Sequence, residues 1–137
     1  MRKLLVVVFV VMLSLASSLQ AGKRSPFLIV GLLPHTTMKI KKNWNNENLA
    51  LSKEQKEKLV KVRQETLNAL KSIKGKVFSL EKKVVKKVRA GEQPKNMLKL
   101  IDNIARLKAK ATKVHLRCLY KTRQILTKKQ RKVLKEL

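Results

Sequence analysis

The residues able to do chemistry in this 137-residue chain are few: two histidines, one cysteine and four methionines. His115 and Cys118 stand three apart in the run His-Leu-Arg-Cys. On a helix that spacing puts the imidazole and the thiol on one face, at a separation that a metal ion can bridge. His35 and Met38 repeat the spacing near the other end of the chain. A set of imidazole, thioether and thiolate is soft, so copper(I), or else zinc, suits it better than magnesium or calcium. The plainer reading of the same residues is structural. Cys118 then acts as a small buried hydrophobe, His115 flanks a core and Met38 only packs.

The acids give no sign of catalysis. There are eight Asp and Glu in all, and Glu54 and Glu57, which share a helix face, have lysines close enough to make ordinary helix charge pairs. The chain has no Gly-rich phosphate loop, no Ser-His-Asp arrangement and no carboxylate pair in an apolar setting, so it does not read as an enzyme. Its charge is the stronger signal. With 34 Lys and Arg the formal net charge is +26, which attracts polyanions, acidic membrane lipids and acidic proteins over long range. Lys82, Lys83, Lys86, Lys87 and Arg89 crowd one stretch, and Lys128, Lys129, Arg131 and Lys132 crowd another. A solvated basic face without a dedicated partner is the alternative. Nucleic acid is disfavoured as a partner, because the aromatics that would stack on bases are 4% of the chain and Trp44 and Tyr120 are isolated.

The elements that must position these residues read as helices. Residues 1–21 have the form of a secretory signal: Arg2 and Lys3, an apolar run over 4–16 too short to span a bilayer, and Leu19-Gln20-Ala21 as a cleavage site. Export to the periplasm of a two-membrane envelope is the expectation, with an uncleaved anchor as the alternative. A lone cysteine in such an oxidising compartment must be buried, liganded or joined to its mate across a dimer. Residues 22–34 form an apolar arm that needs cover, and 35–45 a short helix, followed by an asparagine-rich turn. From residue 52 to about 90, Leu59, Val62, Thr66, Ala69, Ile73, Val77, Leu80, Val84 and Val88 recur at steps of three and four as one apolar stripe. Gly75 interrupts it as a place for a bend, and Gly91 ends it. Pro94 starts a second helix over 94–126, striped by Met97, Leu100, Ile104, Leu107, Ala111, Val114 and Cys118. Residues 128–137 make a short closing helix. The fold expected is all-α: a long antiparallel hairpin with short flanking helices. Its flanks (Val60, Leu70, Phe78, Leu98, Ile101) are left for a homodimer to cover.

One phrase occurs twice around this hairpin. Leu51-Ser52-Lys53-Glu54-Gln55 opens it and Leu126-Thr127-Lys128-Lys129-Gln130 follows it. Each is a capping box, in which the Ser or Thr hydroxyl accepts from the N–H three residues on and the Gln bonds back to the cap N–H. An export signal, a long α-hairpin and two Leu-Ser/Thr-x-x-Gln phrases flanking it resemble the small periplasmic family that includes Spy, CpxP and the CnrX-type heavy-metal sensors. The resemblance covers roughly residues 35–137. It implies a bent helical hairpin in a cradle-shaped antiparallel homodimer. It also implies one of three roles: an ATP-independent chaperone for unfolded or acidic envelope proteins, an accessory that restrains a membrane sensor protein, or a metal-binding signalling protein. In the last group a His-bearing N-terminal helix folds over a His on the long helix, with a Met nearby. His35 with Met38, and His115 with Cys118, resemble that set in type, although the residue one turn after His115 is Leu119 rather than Met. A binder of polyanions or membrane surfaces is the further alternative.

Overall fold

The structure, a computed structural model, describes residues 24–137. The expected signal, residues 1–21, lies outside the described residues. The architecture is all-α: α1 (Thr36–Lys42), α2 (Lys53–Arg89), a 3-10 turn (Pro94–Asn96), α3 (Leu98–Ile125) and α4 (Lys128–Glu136), with no strand among the described residues. Helices α2 and α3 pack along their length. Glu65 meets Lys121 and Glu81 meets Lys108, so numbering rises along one helix as it falls along the other, and the pair is an antiparallel hairpin.

Local chemistry explains each helix end. Ser52 Oγ accepts the Gln55 N–H at 3.1 Å while Gln55 Oε1 accepts the Ser52 N–H at 3.0 Å, which starts α2 with a complete capping box. The helix then runs 37 residues, about 56 Å, and passes through Gly75 without a break. It stops in a Schellman motif: Gly91 N–H donates to Val88 O and Glu92 N–H to Lys87 O, with Gly91 at φ +70, a backbone that favours glycine. Lys87 and Glu92 then pair at 2.9 Å across the same turn. The second helix begins later than the sequence suggests. The N–H groups of Asn96 and Met97 bond three residues back, a tight winding in which no side chain caps the start, so α3 begins at Leu98 rather than Pro94. Likewise α1 ends at Lys42, not 45, because the Asn43 side chain donates to Lys39 O at 2.9 Å.

The two repeated phrases meet. Thr127 and Gln130 form the second capping box, at 2.9 and 3.1 Å. The two glutamine side chains then bond each other reciprocally: Gln55 Nε2 donates to Gln130 Oε1 at 2.8 Å, and Gln130 Nε2 to Gln55 Oε1 at 2.9 Å. Each also donates to a carbonyl just ahead of the other's cap, Gln55 to Ile125 O at 2.9 Å and Gln130 to Ala50 O at 3.2 Å. The pattern is pseudo-twofold. Both amides are fully bonded in a partly buried setting, where an unmade bond would be costly.

Around this clasp lies one apolar cluster of Ile40, Leu49, Leu59, Leu126 and Leu134, with Trp44, Leu51, Ile125 and Val133 against it. A second cluster, Ile73, Val77 and Ala111, sits mid-hairpin, with Leu70, Phe78, Ile104, Leu107, Val114 and Phe27 of the arm around it. The stripe of α3 is buried or half-buried throughout, whereas in α2 Ala69 and Val88 are exposed. Leu70 packs into the core next to Ala69, and Val88 lies by the turn, beyond the clusters. Of the expected flanks, Leu70 and Phe78 are covered by packing within the chain, while Val60, Leu98 and Ile101 stay exposed.

Gly75 and Gly91 should respond in opposite ways to the same change. A Cβ on Gly75 meets nothing within 4 Å, so Gly75→Ala is expected to raise unfolding free energy by about 0.5–1 kcal/mol. Gly91→Ala is expected to lower it by about 1–2 kcal/mol, because the positive φ strains a side chain. Urea unfolding followed by circular dichroism measures both.

Candidate functional site

The arm, residues 24–35, brings the histidines together. Arg24 bonds Glu81 Oε2 through Nε and Nη2 at 3.2 and 3.0 Å and also donates to Phe78 O at 3.0 Å. Its guanidinium lies 4.2 Å from the Phe78 ring centre. Glu81 is shared with Lys108 at 2.9 Å, so one carboxylate ties the arm, α2 and α3. Burial works against its charge, but Lys108 and Arg24 outweigh burial and hold the carboxyl below its usual range. Further on, the Leu28 N–H donates to Thr112 Oγ1 at 2.9 Å. The backbone is thus pinned, yet Leu28, Ile29, Val30 and Leu32 remain exposed, Leu32 at 84%. The cover expected for this arm reaches Phe27, which joins the mid-hairpin core, and Leu33, which is half-buried.

At the end of the arm, His115 Nε2 lies 3.2 Å from Pro34 O. A carbonyl only accepts, so Nε2 carries the proton and donates. The His115 ring stacks on His35, centres 5.3 Å apart and planes 13° apart, and tilts against Phe27 at 5.2 Å. His115 is buried, while His35 is exposed. Burial first, and then the neighbouring His35, push the His115 pKa below its ordinary value, against an opposing pull from the Pro34 carbonyl.

The structure therefore brings His35 to His115 but does not close the four residues into one ligand set. Imidazole lone pairs lie in the ring planes, and two nearly parallel stacked planes share no point at the ~2.0–2.1 Å that zinc requires. One ring must turn before both could ligate. Cys118 is a free thiol buried on the α3 stripe, one turn from His115. Met38 is 45% exposed and lines a groove beside α1. Among the described residues no three His, Cys, Asp or Glu side chains converge as a metal cage.

The basic residues divide into two groups. Lys82, Lys83, Lys86 and Arg89 are exposed near the hairpin turn, and Lys128, Lys129 and Lys132 are exposed on α4. From Gln55 of the clasp to Lys82 the helix rises about 40 Å, so the groups stand at opposite ends. Two of the nine act within the fold. Lys87 pairs with Glu92, and Arg131 Nη1 donates to the carbonyls of Arg123 and Leu126, at 3.1 and 2.6 Å. Sequence reasoning missed Arg24, Thr112 and the Pro34 carbonyl, the groups that hold the arm; a single arginine at the start of an apolar run was the only available hint. No protein-family model, curated protein or solved structure matches this chain.

Depressed affinity of His115 for its proton has a defined consequence. The unfolded imidazole takes up its proton near pH 6.5, whereas the folded one resists until lower pH. Folding stability is therefore full above that range and falls as pH drops below it. Unfolding midpoints in urea should decline between about pH 7 and 5.5, and His115→Phe should remove much of that decline.

Proposed function

We propose that the protein is a capture protein of the Spy/CpxP type: a periplasmic, ATP-independent chaperone or envelope-stress accessory that holds unfolded or acidic proteins on a basic helical surface. One observation carries this reading. Large aliphatic side chains stand exposed along a hairpin whose other exposed positions are dominated by lysine: Val60, Leu67, Val85, Val88, Leu98 and Ile101 are between 46% and 59% exposed. The two kinds of contact complement each other. Lysines at +26 net charge draw an acidic chain in from a distance, and scattered aliphatics then give weak, non-directional contacts that suit a client without fixed shape. The work needs no bound nucleotide. In this reading Val60, Leu98 and Ile101 also serve an antiparallel, cradle-shaped homodimer.

A second reading, a copper(I) or zinc sensor, is favoured by the contact of His35 with His115. It requires the Nε2 bond to Pro34 to be exchanged for metal, and hence the arm to shift. A polyanion or membrane-surface binder differs from both in relying on charge alone.

Aggregation of an acidic model client during heating tests the proposal. Suppression is expected at low salt, with partial retention at about 0.5 M salt, where surface charges are screened beyond a few ångströms. Val85→Ser/Val88→Ser should weaken it without lowering the melting temperature. No suppression at either salt would contradict the proposal, and loss of all binding at high salt would favour the polyanion reading.

A further inference from the structure

A groove opens beside α1, bounded by that helix and by the corner where α3 meets α4. Its volume is about 720 Å³, within the ~300–1,000 Å³ of small-molecule sites. The floor is apolar: Pro34, Met38, Leu119, Leu126 and Leu134. Leu126 and Leu134 are buried members of the core around the clasp, so the floor is rigidly backed. The rim is basic, with Lys39 and Lys42 from α1, Arg123 from α3, and Arg131 and Lys135 from α4. No carboxylate lines the groove, and none of these five cations is in an ion pair among the described residues. Arg131 is held in place by the carbonyls of Arg123 and Leu126, so one cation is ordered before any ligand arrives, which lowers the entropy cost of binding.

We propose that this groove binds a single-chain anionic amphiphile of the fatty-acid class, with the hydrocarbon chain on the apolar floor and the carboxylate at the basic rim. Each half of the site excludes a simpler occupant. A small inorganic anion leaves the floor wet, and a neutral hydrocarbon leaves five cations unused. A second copy of this chain, with 34 Lys and Arg against 8 Asp and Glu, meets the rim with like charge. Nucleic acid finds in the lining no phenylalanine, tyrosine or tryptophan on which to stack bases, and the one aromatic ring there, His35, is already stacked on His115. The proposal does not depend on the client-holding reading.

Calorimetric titration with sodium dodecanoate, kept below its micelle concentration, tests the assignment. Binding of one dodecanoate per chain is expected. Lys42→Glu/Lys135→Glu, two exposed positions, should weaken it about tenfold, and Met38→Trp should weaken it by filling the groove. Lys82→Glu/Lys83→Glu makes the same change in net charge at the far end of the hairpin and should leave affinity unchanged. Equal loss in that control would reduce the effect to general charge and overturn the site. So would equal binding of dodecanol or of inorganic phosphate, or binding only to phosphatidylglycerol vesicles. A dimer unaffected by dodecanoate but dissociated by Lys42→Glu/Lys135→Glu would give the groove to a second copy instead.

Discussion

The reciprocal bond between Gln55 and Gln130 is the constraint on which the rest of this fold depends. A two-helix hairpin with a thin core has no strong preference for how its open end closes. Here each glutamine completes the capping box of its own helix and caps the chain ahead of the other's. Helix starts, hairpin register and the docking of α4 are therefore set by one cluster of bonds. The apolar cluster of Ile40, Leu49, Leu59, Leu126 and Leu134 gathers around that point, and the groove beside α1 is walled by residues on the same corner. The arm depends on the register too, since Arg24 needs Glu81 of α2 while Leu28 needs Thr112 of α3.

Charge works in the opposite direction to the core. A one-sign excess of this size repels itself in the compact state, and four of the eight acids offset part of it by pairing with lysine or arginine. Glu81 holds two cations, and Glu65 and Glu92 each hold one. Glu54 holds Lys58 one turn on, at 2.6 Å, and the other described lysines make no ion pair. Binding of an acidic ligand would relieve this repulsion and so raise stability.

What could be read from the sequence follows from how local each signal is. The capping boxes, the Gly91 stop and the α3 stripe depend on residues a few positions apart, and all three are present in the structure. The late start of α3 was hidden because Pro94 permits either an α or a 3-10 turn. The pairing of Gln55 with Gln130 joins residues 75 apart and leaves no local pattern beyond the repeat itself. His35 and His115 could be picked out as residue types, but the Pro34 carbonyl that occupies His115 Nε2 has no side-chain signature. Arg131 looked like one more surface cation, yet its bonds to two backbone carbonyls come from the corner between α3 and α4.

A double-mutant cycle on Gln55 and Gln130, read by urea unfolding, tests this central claim most directly. If the two phrases act as one clasp, each single change to alanine costs about 2–4 kcal/mol. The double variant then costs less than the sum by at least about 1.5 kcal/mol. Costs that add to within about 0.5 kcal/mol would show two independent helix caps and contradict the account.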